Sequence, residues 1–112
     1  MSTATILKGA TVNKNTIVNI ETASRAEVDQ KISAMRECGK IHAQIFKDLR
    51  EYVKPGMTGK QIDQWLREQI VKHGAKVAYD MLDDEFPGAI CISVNDELVH
   101  GAPTDEPLEE GD

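Results

Sequence analysis

Two stretches of the chain place apolar residues at spacings of three and four, the pattern of a helix with one buried face. The first stretch follows Ser24-Arg25-Ala26-Glu27, a capping box in which the Ser24 and Glu27 side chains each bond the other residue's backbone N–H. It predicts a helix from about Arg25 to about Val53. Its apolar face carries Val28, Ile32, Met35, Gly39, His42, Ile45, Leu49 and Tyr52. Gly39 weakens a helix by about 1 kcal/mol relative to Ala, so we expect another backbone to approach closely there.

The second helical stretch begins after Lys54-Pro55-Gly56-Met57, where the proline ends the first helix. The segment Thr58-Gly59-Lys60-Gln61 is a second capping box. The apolar face behind it carries Ile62, Trp65, Leu66, Gln69 and Ile70. The helix is expected to end at His73-Gly74, because glycine readily adopts the left-handed conformation that follows a helix. Two capped helices joined by so short a loop are expected to pack antiparallel.

Other segments have strand character. Residues 75–79 predict one strand, and 90–94 alternate cleanly between apolar and polar positions. Asn95-Asp96 can turn the chain so that 97–100 return as the second arm of a hairpin. Within residues 3–22, Thr16-Ile17-Val18-Asn19-Ile20 indicates a further short strand or hairpin.

These elements predict an α+β fold in which two antiparallel helices pack on a partial antiparallel sheet. The predicted hairpin lies close to Asp112, the last residue of the sequence. A sheet of two or three strands with an open edge is only marginally stable. The pattern therefore indicates an unfinished sheet.

Length and composition exclude several classes of protein. The 112 residues suffice for one domain, and no apolar run approaches the ~18 residues of a membrane span. The two cysteines, Cys38 and Cys91, exclude a disulfide-dense secreted scaffold, and no CxxC motif offers a structural zinc site. The first residues lack the pattern of a signal peptide. We therefore expect a cytoplasmic protein with both thiols reduced.

Charge is distributed very unevenly along the chain. Residues 1–79 carry 13 basic and 8 acidic side chains, a net charge of +5, whereas residues 80–112 carry 11 acidic and no basic ones. So acidic a segment repels phosphate, which argues against nucleic-acid binding. Two interpretations of the acidic segment are open. It is a solvated terminal segment, or it lies beside cations that this chain does not supply, either basic groups of a partner or bound metals.

Among the histidines, His100 is the candidate for chemistry. It ends the predicted hairpin before Gly101-Ala102-Pro103, where an imidazole can act as acid, base or hydrogen-bond donor. A surface or partly buried histidine with a backbone partner is the alternative. His42 lies on the apolar helix face and is expected to be a core histidine with its hydrogen bonds satisfied. His73, in the last helical turn, is expected to cap the helix.

The other candidate groups are weaker. Asp83-Asp84-Glu85 are consecutive, and neighbouring extended side chains diverge, so a solvated loop is favoured over a metal site. Cys91 faces away from Ile90 and Ile92, and a small buried side chain is its simplest interpretation. A nucleophilic pair of Cys91 and His100 is conceivable, but the sequence shows no third group to activate it.

Several segments together resemble the N-terminal half of a type I methionine aminopeptidase. The matching segments are Met35-Arg36-Glu37-Cys38-Gly39, Tyr52-Val53-Lys54-Pro55-Gly56-Met57-Thr58 with Asp63, Phe86-Pro87-Gly88-Ala89-Ile90-Cys91-Ile92-Ser93-Val94-Asn95-Asp96-Glu97-Leu98-Val99-His100-Gly101-Ala102-Pro103, Leu108 and Gly111-Asp112. The resemblance covers residues 28–112. Residues 1–27 are left as an N-terminal extension, a strand or hairpin.

The resemblance implies half of a pita-bread fold, the architecture shared with creatinase, in which two pseudo-symmetric α/β halves surround a curved antiparallel sheet. It implies an enzyme that removes the initiator methionine from nascent chains with water activated by two divalent metals (Co, Mn, Fe, Zn or Ni). His100 matches the family's histidine that contacts the scissile peptide. Phe86 and Cys91 match positions that line the pocket for the methionine side chain. The family's ligands, two Asp, one His and two Glu, all match positions beyond Asp112, so this chain is expected to hold no metal ligand.

We therefore expect a fragment of a methionine aminopeptidase that is inactive in isolation. Its implied partners are the N-termini of nascent polypeptides that carry Met before a small residue, and it is expected to bind them close to the ribosome. The complete enzyme is expected to be a monomer that binds neither nucleic acid nor a membrane. The family usually has Tyr and Gly near Asp83 and Glu85, so this pocket wall is more polar. The alternative is a natural truncated, non-enzymatic interaction module of the same fold. The His-Gly-Ala-Pro segment argues against the creatinase and prolidase group.

Overall fold

A computed structural model of the chain describes residues 6–8, 24–82 and 85–112. Strand β1 is Ile6–Lys8, helix α1 is Arg25–Tyr52, helix α2 is Gly59–Lys72 and strand β2 is Ala75–Val77. A one-turn 3₁₀-helix, Tyr79–Met81, follows β2. The described residues are thus α+β, as predicted, and none of their helices is long and apolar enough to cross a membrane. The strand predicted at 16–20 lies outside them.

Helix α1 confirms the predicted start and length. Glu27 donates its backbone N–H to the Ser24 hydroxyl at 3.3 Å, and the Glu27 carboxylate accepts the Ser24 N–H at 2.7 Å. The close backbone approach expected at Gly39 is not found in the described part of the chain, where a Cβ built on Gly39 meets nothing within 4 Å. Among the described residues, no packing contact explains why this position of α1 carries glycine, which weakens a helix.

Helix α2 also begins and ends where the sequence predicts. The Thr58 hydroxyl accepts the Gln61 N–H at 3.2 Å, and the Gln61 side chain accepts the Thr58 N–H at 3.0 Å. His73 is the C-cap, with its Nδ1 2.8 Å from the Gln69 carbonyl oxygen, which confirms its capping role. Gly74 follows with φ +71°, the left-handed conformation that the sequence predicts for it.

The core lies between the C-terminal half of α1, α2, β2 and the segment after Pro87. Its buried side chains are Ile41, Ile45, Leu66, Ile70, Ala75, Val77, Ala89 and Ile90. Tyr52 of α1 stacks on Trp65 of α2 with ring centroids 4.6 Å apart. By contrast, the first half of α1 leaves apolar side chains exposed, Met35 at 73%. The core therefore supports only one half of the long helix.

The strand predicted at 75–79 is only partly correct. β2 pairs antiparallel with β1, with Ile6 opposite Val77 and Lys8 opposite Ala75. After Val77 the chain turns into the 3₁₀-helix, so Tyr79 is on a tight turn. This turn brings Tyr79 towards the segment that begins at residue 85.

The hairpin predicted over 90–100 is wrong, since residues 85–112 contain no strand beyond an isolated bridge at Pro107. The turn at Asn95-Asp96 does form, with Asn95 in the left-handed region at φ +53°. One backbone bond closes the arms, from the Ile92 N–H to the Gly101 carbonyl at 2.8 Å. Next to it the Ser93 hydroxyl donates to the Leu98 carbonyl at 2.6 Å and accepts the Gly101 N–H at 3.1 Å. A side chain thus replaces the backbone ladder that a strand requires.

The acidic C-terminal segment is anchored on the start of α2. The Lys60 N–H belongs to the first helical turn, where N–H groups have no partner within the helix, and it donates to the Thr104 carbonyl at 3.0 Å. Gly56 donates to the Leu108 carbonyl at 2.7 Å, and Leu108 donates to the Met57 carbonyl at 2.8 Å. The Lys60 ammonium also pairs with Asp105. The chain thus supplies some of the cations that the acidic segment needs, although most of its side chains stay solvated.

Candidate functional site

Three side chains near the end of the core form an aromatic and thiol cluster, Tyr79, Phe86 and Cys91. The rings of Tyr79 and Phe86 are tilted by 40° with centroids 4.8 Å apart. The Tyr79 hydroxyl lies 3.5 Å from the Cys91 sulfur. Cys91 is buried, and Phe86 is half-buried. The cluster is therefore an apolar surface that is partly exposed at Phe86 and contains the buried, polarizable sulfur of Cys91.

Phe86 and Cys91, the two pocket residues expected from the sequence, both lie against Tyr79. Tyr79 itself was missed as a site residue. The available signal was its place at the end of the strand predicted at 75–79, directly before a predicted loop, in a chain with only two tyrosines. We name these three residues the aromatic–thiol cluster.

A buried carboxylate holds the segment that carries Phe86 and Cys91. Asp63 of α2 is only 9% exposed, and its Oδ1 accepts the Ala89 N–H at 2.6 Å. Its Oδ2 accepts from Arg67 Nε at 3.1 Å. Arg67 Nη1 donates in turn to Asp80 Oδ2 at 2.8 Å. The hydrogen bond to Asp80 is the largest cause that raises the pKa of Arg67, so the guanidinium stays charged.

Gly88 and Pro103 close the packing around this carboxylate. A Cβ on Gly88 would lie 2.7 Å from Cγ of Pro103 and 3.1 Å from Asp63 Oδ1. Such distances are below van der Waals contact, so only glycine fits between α2 and Pro103. The segment 86–91 is therefore held on one side by α2 and on the other by the chain after His100.

His100 directly precedes Gly101, whose carbonyl accepts the N–H of Ile92, the residue after Cys91. It is exposed, and its φ of +64° puts the residue in the left-handed region at the end of the turn. Leu98 and Val99 before it are 86% and 82% exposed. Gly101 after it is fixed by its bonds to Ile92 and Ser93. The exposed imidazole is thus carried next to a hydrogen-bonded backbone and follows two exposed apolar side chains.

His42 departs from its predicted role. It is half-buried, and its ring meets Phe46 edge-on at 6.2 Å. Its Nε2 is buried without a hydrogen-bond partner among the described residues, so the prediction of a satisfied core histidine is wrong there.

A metal centre does not fit the described part of the chain. Within residues 6–8, 24–82 and 85–112, no group of three or more His, Cys, Asp and Glu side chains is placed to hold an ion. Asp83 and Asp84 lie outside these ranges. The chemistry available in the described part is therefore an aromatic–thiol wall and an exposed imidazole.

Comparison with known proteins finds the same family along most of the chain. The sequence profile of metallopeptidase family M24 matches residues 33–112. Methionine aminopeptidase of Staphylococcus epidermidis is 36% identical over 86 residues, which are 77% of this chain and 34% of that protein. Methionine aminopeptidase 1 of Bacillus subtilis is 40% identical over 83 residues, 74% of this chain and 33% of that protein.

A third relative, methionine aminopeptidase of Aquifex aeolicus, is 35% identical over 99 residues, 83% of this chain and 37% of that protein. The chain thus spans about a third of the length of the curated relatives it matches. No solved structure gave a significant match. Since the profile covers well over half of its residues, the chain belongs to metallopeptidase family M24.

Proposed function

We propose that residues 28–112 supply the N-terminal half of a methionine aminopeptidase of pita-bread fold, which removes the initiator methionine from nascent polypeptides in the cytoplasm. The observation that carries this proposal is the aromatic–thiol cluster, which lies inside the region that the M24 family profile matches, residues 33–112. Its substrates are polypeptide N-termini with Met followed by a small residue. Residues 1–27 are then an extension outside the catalytic domain.

The cluster suits a methionine side chain. A thioether is soft and polarizable, and contacts between sulfur and an aromatic ring contribute about 0.3–1.5 kcal/mol each. Phe86 and Tyr79 offer two rings at an angle, and Cys91 adds a second polarizable sulfur. An unbranched apolar side chain such as that of methionine can pack against this surface, whereas a charged one would lose its hydration without gaining a partner.

His100 is proposed to donate a hydrogen bond to the carbonyl oxygen of the scissile peptide. Its neighbour Gly101 is hydrogen-bonded to Ile92 and Ser93, so the backbone that carries the imidazole is held in place before substrate arrives. A fixed donor stabilises the negative charge that develops on this oxygen in the transition state more than it stabilises the ground state. The roles proposed for the described part of the chain are recognition of the methionine side chain and hydrogen bonding to the carbonyl of the scissile peptide.

The test is to sequence the gene beyond codon 112 and to assay the full product of the reading frame on a Met-Ala peptide with cobalt or manganese. We expect the frame to continue and its product to release methionine only when metal is present, whereas the 112-residue chain alone releases none. A stop codon directly after codon 112 would favour the interaction module instead. Turnover by the 112-residue chain would contradict this division of roles.

A further inference from the structure

We propose that Asp63, Arg67 and Asp80 form a positioning device for the methionine pocket, a carboxylate–guanidinium bridge that fixes both sides of the aromatic–thiol cluster to α2. The inference rests on the proposed function, because it names residues that shape the pocket without touching the substrate. None of the three belongs to the cluster itself. Asp63 acts through its hydrogen bond to Ala89, Asp80 acts through its sequence neighbour Tyr79, and Arg67 joins the two carboxylates.

The first arm of the bridge reaches the segment that carries Phe86 and Cys91. Asp63 Oδ1 accepts the N–H of Ala89, three residues after Phe86 and two before Cys91, at 2.6 Å. A hydrogen bond from a backbone N–H to a carboxylate is among the stronger ones, and burial strengthens it further. This bond therefore fixes the depth at which Phe86 and Cys91 sit against α2.

The second arm reaches the other side of the cluster. Arg67, one helical turn after Asp63, donates from two nitrogens, Nε to Asp63 and Nη1 to Asp80. Asp80 directly follows Tyr79 on the 3₁₀-helix. The planar guanidinium sets the spacing between the two carboxylates and thus the position of the Tyr79 ring relative to Phe86. This bridge, which spans a single turn of α2, therefore ties the Tyr79 side and the Phe86 side of the aromatic–thiol cluster to one helix.

Burial separates this bridge from the ordinary ion pairs of the surface. The side chains of Asp63 and Arg67 are 12% and 31% exposed, whereas Arg25 and Asp29, with the same i,i+4 spacing and the same 3.1 Å distance, are 88% and 56% exposed. A buried carboxylate is retained only if its partners compensate for the lost hydration. Arg25–Asp29 thus provides a control pair of matched geometry, remote from the pocket.

Thiol protection tests the bridge without any need for catalysis. In the 112-residue chain carrying Cys38→Ser, Cys91 is the only cysteine, and its rate of reaction with a water-soluble disulfide reagent reports opening of the segment. We expect Asp63→Asn to raise this rate about tenfold and Asp80→Asn to raise it by about threefold, since each weakens one arm. Asp29→Asn should leave it within a factor of about 1.5. Rates within twofold of the parent for both pocket variants would overturn the proposal.

Kinetics on the full product of the reading frame then separate positioning from plain stability. The Asp80 carboxylate is half-exposed, so its replacement should not change the melting temperature. We expect Asp80→Asn to raise KM for a Met-Ala peptide about fivefold and to change kcat by less than twofold. An unchanged KM in a variant with raised thiol reactivity would overturn the proposal, because the bridge would then hold the segment without shaping the pocket. If no variant or parent releases methionine, the proposed function fails, and the thiol rates alone decide whether the bridge exists.

Discussion

The Gly101→Ala substitution tests how the support of His100 is built. A Cβ on Gly101 would lie 2.2 Å from the carbonyl oxygen of Ile92 and 2.9 Å from its carbonyl carbon. Both atoms belong to the backbone, so rotation of a side chain cannot relieve the overlap. The two arms that meet at the Ile92–Gly101 hydrogen bond must therefore separate.

The magnitude follows from two effects. Overpacking against backbone costs about 1–3 kcal/mol, and loss of the Ile92–Gly101 hydrogen bond costs about 0.5–1.5 kcal/mol. We expect Gly101→Ala to lower the free energy of unfolding by about 2–4 kcal/mol, which for a domain near this size lowers the melting temperature by roughly 8 °C or more. Urea denaturation followed by circular dichroism measures the change.

Gly39→Ala is the matched control. A Cβ there meets nothing within 4 Å of the described residues, and alanine favours a helix interior by about 1 kcal/mol over glycine. The same substitution should therefore stabilise the chain at position 39 and destabilise it at position 101. A Gly101→Ala chain as stable as the parent would refute the steric reasoning, and a destabilised Gly39→Ala chain would show that another backbone does approach α1.

Three further predictions concern the core, the α1 cap and the imidazole. Ile70→Ala empties a fully buried position (0% exposed), and we expect the free energy of unfolding to fall by about 2–5 kcal/mol in urea denaturation; a loss below about 1 kcal/mol would contradict this burial. The Ser24 backbone N–H and hydroxyl lower the pKa of Glu27 below its usual 4.5. Because the folded pKa is the lower one, Glu27 stabilises the start of α1 above pH 4.5 and loses that effect as pH falls through the folded value. Carboxyl NMR titration checks this, and a midpoint at or above 4.5 would disprove the capping box. In the full product of the reading frame, His100→Ala should lower kcat by ~10²-fold or more, and a change within twofold would remove His100 from the site.

The helices could be predicted because their signals are local. Each capping box lies within four consecutive residues, and the apolar spacing reports the buried face directly. Both N-caps, Ser24 and Thr58, and the C-cap at His73 are therefore found where the sequence predicts them. The backbone expected close to Gly39 would have to come from a distant part of the sequence, and the described residues supply none.

The hairpin shows why alternation alone is insufficient. Residues 90–94 alternate as a strand does, but a strand also requires a partner with a matching backbone ladder. In this chain Ser93 supplies side-chain bonds in place of the ladder, and left-handed backbone at Asn95 and His100 bends the returning arm away from an extended path. The alternation of apolar and polar residues does not indicate these hydrogen bonds or these backbone conformations.

The candidate site could be predicted only in part, because its contacts also join residues that are far apart in the sequence. Family resemblance could point to Phe86 and Cys91, but the contacts of Tyr79 depend on the turn that ends β2. Asp63 bonds to a residue 26 positions away. Its only local signal was an acidic side chain beside Ile62, on a helix whose apolar face packs into the core.

The anchor between residues 56–60 and 104–108 also bears on how the chain acquires its structure during synthesis. Its hydrogen bonds join groups about fifty positions apart, and closing a loop of that length costs roughly 3–4 kcal/mol of chain entropy. The two helices can form as soon as they leave the ribosome, whereas the anchor must wait until Leu108 has emerged. Until Thr104 has emerged, the Lys60 N–H in the first turn of α2 lacks its carbonyl partner and is solvated instead.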